Sequence, residues 1–131
     1  MKRGTAGSVA TVAVIVGALA VSGAAVTTAG AKKQPAAKRT VTADPHGNLK
    51  FDKKNLTAPA GKVKLVMHNP GSSGTQHGIA VKGHGLDKDG RIVNPGKTSS
   101  VTVTLKPGTY SFYCPVLGHR AAGMNGHIAV K

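Results

Sequence analysis

From Thr40 onward the chain is a succession of short runs in which apolar and polar residues alternate, each run cut off by Gly, Pro or Asn. A side-chain period of two marks strands with one buried face, whereas a helix needs apolar residues recurring every three or four positions. Val63, Leu65 and Met67 alternate with Lys64, Val66 and His68, between an Ala58-Pro59-Ala60-Gly61 turn and a loop over Asn69–Gly74. Further strands are expected at Val41–Ala43, Leu49–Phe51, His77–Val81, Thr98–Leu105, Thr109–Cys114 and near Gly126–Val130, with Lys106-Pro107-Gly108 as a turn. Gly83–Gly96 reads as a glycine-rich excursion, and Leu117–Met124 has room for a single helical turn. No segment after residue 31 carries a sustained helical period. About seven to eight short strands of this kind predict an all-β chain, a β-sandwich or small barrel. Asp87-Lys88-Asp89-Gly90 faintly echoes a calcium loop, but the later ligands are missing and a turn is expected there.

The 131 residues divide into three parts. Residues 1–31 begin with Lys2 and Arg3, continue through an apolar run from Val9 to Val26 and end in Ala29-Gly30-Ala31, the small-x-small pattern of a signal-peptide cleavage site. The rival reading is an uncleaved anchor, since the run approaches the ~18 residues of a spanning helix; its many Ala and Gly weaken it. Both readings place the folded domain outside the cytoplasm, whether secreted, periplasmic or held at a membrane through that segment. Residues 32–39 form a basic, flexible linker, and residues 40–131 form the domain.

The charge is extreme: 18 Lys and Arg against 4 Asp and no Glu, a net +14 at pH 7. Such a field favours anionic partners, including acidic proteins and anionic surfaces. Phe51, Tyr110, Phe112 and Tyr113 are the only aromatics, and no basic stripe is interleaved with them in the folded part. Nucleic acid is therefore not an expected partner, although a cationic β-sandwich module binding some other polyanion is an alternative.

A single cysteine in an exported chain has no disulfide partner and is open to oxidation unless it is buried or bound to a metal. Cys114 is followed by His119 and Met124, a thiolate, an imidazole and a thioether whose softness suits copper, with zinc the weaker candidate. Strand phase sorts the histidines. His77 is in phase with Ile79 and Val81, and Cys114 with Tyr110 and Phe112, so both should face the core. His68 and His127 are out of phase with their apolar neighbours and should face solvent; His46 and His84 sit in loops. A structural thiol in a sandwich without metal is the plain alternative.

The segment Tyr110–Gly126, with Asn69-Pro70-Gly71 and His77-Gly78-Ile79 upstream, resembles the cupredoxin family, the type 1 blue copper proteins related to plastocyanin and azurin. The resemblance spans residues 40–131 and includes Leu56-Thr57-Ala58-Pro59-Ala60-Gly61. It implies a Greek-key β-sandwich and one copper per chain, cycling between Cu(I) and Cu(II), held by His77, Cys114 and His119 with Met124 as the weak axial ligand. The implied function is one-electron carriage between redox partners by a monomer that is not an enzyme. The partner would dock on the small apolar residues around His119, and the charge favours an acidic one. At Gly78 the family commonly has Asn, which there ties the two ligand loops together. A binuclear electron-entry centre needs two cysteines and oxidase clusters need several His-x-His pairs, and the chain has neither. An extracytoplasmic copper chaperone or store, with the same ligands but ready exchange, is the alternative within copper chemistry.

Overall fold

The alternation at residues 61–68 becomes strand β3 (Gly61–His68), with Val63, Leu65 and Met67 fully buried and Lys62, Lys64 and His68 exposed. A computed structural model of the protein describes residues 35–131; the expected signal segment and the start of the linker lie outside the described residues. β3 is the centre of a three-stranded sheet, parallel to β1 (Ala37–Thr42) on one side and antiparallel to β6 (Thr98–Leu105) on the other. A five-stranded sheet faces it, in the order β2 (Asn55–Ala58), β8 (Asn125–Val130), β7 (Gly108–Tyr113), β4 (Ala80–Gly83) and β5 (Leu86–Asp89). The fold is thus the all-β two-sheet sandwich the periodicity predicts, with eight strands among the described residues.

Burying apolar area between two sheets is what holds such a sandwich together. Val63, Leu65, Met67, Val101, Val103 and Leu105 from one sheet meet Ile79, Val81, Tyr110, Phe112, Ile128 and Val130 from the other. Phe51 tilts against Phe112 with ring centroids 5.6 Å apart. The strand ends define two poles. His68, Tyr113 and Asn125 gather at one; Gly61, Leu105, Gly108 and Val130 gather at the other, where Ala60 N–H donates to Lys131 O at 3.0 Å.

Four local expectations differ from the structure. Phe51 makes only an isolated bridge to Ala43 in place of a Leu49–Phe51 strand. The Asp44 carboxylate captures His46 N–H at 2.8 Å and Asn48 Nδ2 at 3.1 Å, which curls the chain; the real strand, β2, forms later. At His77–Val81 the strand begins only at Ala80, and His77 bridges Val93 alone. Asp87-Lys88-Asp89 is not a turn but part of β5, paired to β4 within the excursion. Finally, β1 starts at Ala37, inside the stretch expected as linker, because the open edge of β3 supplies partners for its backbone. Arg39, inside that stretch, donates from Nε to Thr57 O at 2.5 Å.

Phe112 lies directly opposite Gly126 in the β7–β8 register. A Cβ on Gly126 would collide with that ring and stand 2.5 Å from Lys54 O, so the missing side chain is what lets the aromatic lie across the strand. Gly126→Ala is expected to lower the unfolding free energy by ~1–3 kcal/mol, as overpacked cores do. Chemical denaturation measures this, and an unchanged midpoint would show that the ring moves aside without cost.

Candidate metal centre

Cys114 is the residue immediately after β7, and strand phase carries its side chain inward behind Phe112 until the residue is only 1% exposed. Its N–H donates to Met124 O at 3.0 Å, which extends the β7–β8 ladder by one rung. The ladder therefore clamps both ends of the intervening loop. Within that loop, His119 N–H donates to Val116 O at 3.0 Å, Ala122 N–H to Gly118 O at 3.1 Å and Met124 N–H to His119 O at 3.1 Å. These turns, the helical turn expected at Leu117–Met124, fold the loop back so that His119 stands over the thiol.

His77 arrives from the opposite side on a loop braced by Asn69. That side chain is fully buried: its Nδ2 donates to Thr75 O at 2.9 Å and Val93 O at 3.2 Å, and its Oδ1 accepts from Ser73 Oγ at 2.5 Å. His77 and Val93 exchange both backbone hydrogen bonds, at 3.1 and 2.8 Å. The bracing role of Asn69 is not read from the sequence, where Asn69-Pro70-Gly71 signals only a turn. Gly78 joins the two loops through its backbone. Its N–H donates to Cys114 Sγ at 3.4 Å, and a Cβ there would stand 3.0 Å from Arg91 O and 3.2 Å from the Pro115 ring. Here close backbone contact joins the two ligand loops where the family commonly uses an asparagine.

Three donor atoms converge as a result. His77 Nδ1 and His119 Nδ1 are 3.2 Å apart, and Cys114 Sγ lies 3.9 Å from the first and 3.6 Å from the second. An ion bonded to nitrogen and sulfur at about 2.0–2.3 Å needs a triangle of this size. His77 Nε2 is buried with no hydrogen-bond partner, a cost borne while Nδ1 is turned toward the other two donors. The set of two imidazoles and one thiol fits copper by softness and number. Met124 is fully buried beside this cluster in the chain, its main chain bonded to both Cys114 and His119. The remaining histidines, His46, His68, His84 and His127, are exposed, as phase and loop position predict. His84 stacks on Tyr110 at 4.8 Å.

Burial, followed by the neighbouring His119 imidazole, holds His77 below the ordinary histidine value of 6.5. Burial also pushes the Cys114 thiol above the ordinary 9.0, opposed by the N–H groups of Gly78 and Val116. Beside the site, Tyr113 is pushed up to about 12 by burial and by its hydrogen bond to Asp87 at 2.9 Å, and the Arg120 guanidinium lies 4.2 Å over its ring. That contact fastens the residue after His119 to the five-stranded sheet.

These shifts contribute to the acid and alkaline limits of the metal-free protein. The folded state binds the His77 proton more weakly than the unfolded chain does, so stability is present above 6.5 and falls as pH drops through it. It binds the Cys114 proton more tightly, so stability is present below 9.0 and falls as pH rises past it. Thermal unfolding against pH should show both losses. His77→Gln should flatten the acid limb and Cys114→Ser the alkaline one, and unaltered limbs in these variants would overturn the assignment.

Comparison with known proteins agrees with this geometry. Auracyanin B is similar with a TM-score of 0.65 and 28% identity, over 74% of this chain and 90% of that one. Auracyanin A, described as a "blue" copper protein from the green thermophilic photosynthetic bacterium Chloroflexus aurantiacus, has a TM-score of 0.61 and 25% identity, over 73% of this chain and 99% of that one. Among curated proteins, the iron uptake system component EfeO of Yersinia pseudotuberculosis is 34% identical over 64 residues. That match covers 49% of this chain, and it spans only 17% of the length of EfeO. The cupredoxin-like domain family matches residues 11–130. With that match, the two-sheet fold and the His77, Cys114, His119 cluster, the chain belongs to the cupredoxin-like family.

Proposed function

We propose that this chain is an extracytoplasmic carrier of single electrons, a mononuclear type 1 copper protein and not an enzyme. The observation that carries the reading is the convergence of two imidazole Nδ1 atoms and one buried thiol on a rigid β-scaffold. One copper per chain would be held by His77, Cys114 and His119, with Met124 as the weak fourth ligand. Bound there, copper supplies a couple between Cu(I) and Cu(II). The chain supplies the rest. His77 stays a neutral donor because burial disfavours its charge. The N–H groups of Gly78 and Val116 are placed to stabilise sulfur as thiolate. Both loops are clamped by backbone hydrogen bonds, so the donors need little rearrangement between oxidation states. The auracyanins, similar over most of their own length, support the same reading.

His119 is the ligand nearest solvent, and its loop presents Leu117 at 98% exposure together with exposed Ala121 and Ala122. An exposed leucine on a loop of small residues provides a dry contact for a redox partner. With a net charge of +14, an acidic partner is the favoured one. The likeness to EfeO favours one second reading, metal handling in an uptake system, in which copper would exchange readily with a chelator in either oxidation state.

Adding copper to the purified protein should produce an intense visible thiolate-to-copper band, absent from Cys114→Ala. His77→Ala should abolish or strongly shift the band, whereas His68→Ala and His127→Ala leave it intact. A colourless protein that binds no copper would overturn the reading, and equal losses in all three histidine variants would overturn the ligand assignment.

The docking loop has its own test. Leu117→Lys puts a charge on the surface where two copies would meet to exchange an electron, and weakening that encounter by ~1.4 kcal/mol is a tenfold effect. Electron self-exchange measured by NMR line broadening should slow about tenfold, with the visible spectrum unchanged. An unaltered rate would place electron entry elsewhere.

A further inference from the structure

The outer face of the three-stranded sheet is cationic in a way that neither the fold nor the metal site requires. Lys38 on β1 lies in register with Lys64 on β3, both exposed, and Lys62 stands two residues away on the same face. Like charges on neighbouring strands repel and weaken a sheet. Nothing nearby offsets them. The three ion pairs among the described residues involve Lys50, Lys53 and Lys82, and none involves Lys38, Lys62 or Lys64. Asp52 lies at the far end of β1, where it accepts from Thr42 N–H at 2.7 Å and pairs with Lys53, and Asp44 pairs with Lys50. Asp87 and Asp89 are on β5, whose Lys88 adds a further cation by donating to Thr102 O at 2.9 Å. Opposite Lys64 and Lys62, β6 places Thr102 and Thr104, so hydroxyl groups and cations share one face.

This surface reaches the pole opposite the metal centre. Lys106 and Lys131 are exposed at that same pole, after the ends of β6 and β8. A cleft of about 280 Å³ there, lined by Pro35, Ala37, Pro59, Ala60, Lys62 and Thr104, adds an apolar margin beside the lysines. The chain enters the domain at this margin, and the sequence preceding Pro35 carries Lys32, Lys33 and the apolar run from Val9 to Val26.

We propose that this face is a membrane-surface site for anionic phospholipid headgroups. Phosphates would lie over Lys38, Lys62 and Lys64, and the copper-site pole would face away from the lipid. A lipid surface is favoured over a soluble polyanion because an apolar rim adjoins the cations. Each Lys or Arg near an anionic membrane adds about 1 kcal/mol of attraction. Removing the three central charges should therefore weaken binding roughly 100-fold.

The test uses the full chain with vesicles of phosphatidylcholine alone or mixed with phosphatidylglycerol, so that the apolar segment is common to every sample. Hydrogen–deuterium exchange should show protection of β1, β3 and β6 only on the phosphatidylglycerol vesicles, with the Pro115–Gly123 loop unprotected. The protection should vanish in 0.5 M salt and in the triple variant K38Q/K62Q/K64Q. It should survive in K82Q/R91Q/K97Q, which removes the same charge elsewhere. Protection equal on both vesicle types, or equal loss in the two triple variants, would overturn the proposal. So would protection by soluble polyphosphate without any by the vesicles, which would identify the face as a polymer site. Copper loading plays no part in the readout, so this result stands apart from that of the copper titration.

Discussion

The hydrogen bond from Cys114 N–H to Met124 O is the constraint on which the rest of the site depends. It extends an antiparallel ladder whose every rung is set by the buried, alternating residues of β7 and β8. A slip of one residue would turn one strand over against the other, sending either Phe112 and Cys114 or Ile128 and Val130 to solvent. Because core packing forbids that slip, the loop between Cys114 and Met124 has fixed ends. Its internal turns then decide where His119 stands. The placement of a soft donor set is thus a by-product of burying Phe112 and Ile128.

The second ligand loop is held by a different force. Asn69 is a buried amide whose donors and acceptor are all used, and such a group stabilises only the one backbone path that satisfies it. It ties the start of the loop to Thr75 and Val93, and Val93 in turn pairs with His77. The two loops then meet at Gly78 and Pro115, where a Cβ would be crowded at 3.0–3.2 Å. Rigidity at the cluster therefore has two independent sources, strand register on one side and a saturated polar hub on the other.

Much of this was legible from periodicity alone. The alternation at Val63–Met67 and at Tyr110–Cys114 is a direct imprint of burial on one face, so β3, β7 and the inward direction of Cys114 follow from it. The same logic separated His77 from His68 and His127. It failed where backbone pairing, not side-chain burial, makes the strand. β5 exposes Asp87, Lys88 and Asp89, and it exists because β4 offers an open edge and Tyr113 a hydroxyl for Asp87. β1 begins in a basic stretch for the same reason. Asn69 could not be recognised because an Asn-Pro-Gly turn looks alike whether its amide is solvated or buried. At Gly78 the sequence shows only the missing asparagine, since the contact the glycine permits is with residues far away in the chain.

The parallel pairing of β1 with β3, joined to the bond between Ala60 and Lys131, brings residues 37 and 131 to the same pole of the sandwich. Every loop at the opposite pole is consequently an internal one, closed at both ends by paired strands. Neighbouring termini of this kind make a domain open to circular permutation. A peptide bridging them, with new ends cut at an exposed turn such as Gly85, would rewire the order of the strands without touching a ligand loop. The donor cluster is thus a property of the closed sheet pair and not of the direction in which the chain is threaded through it.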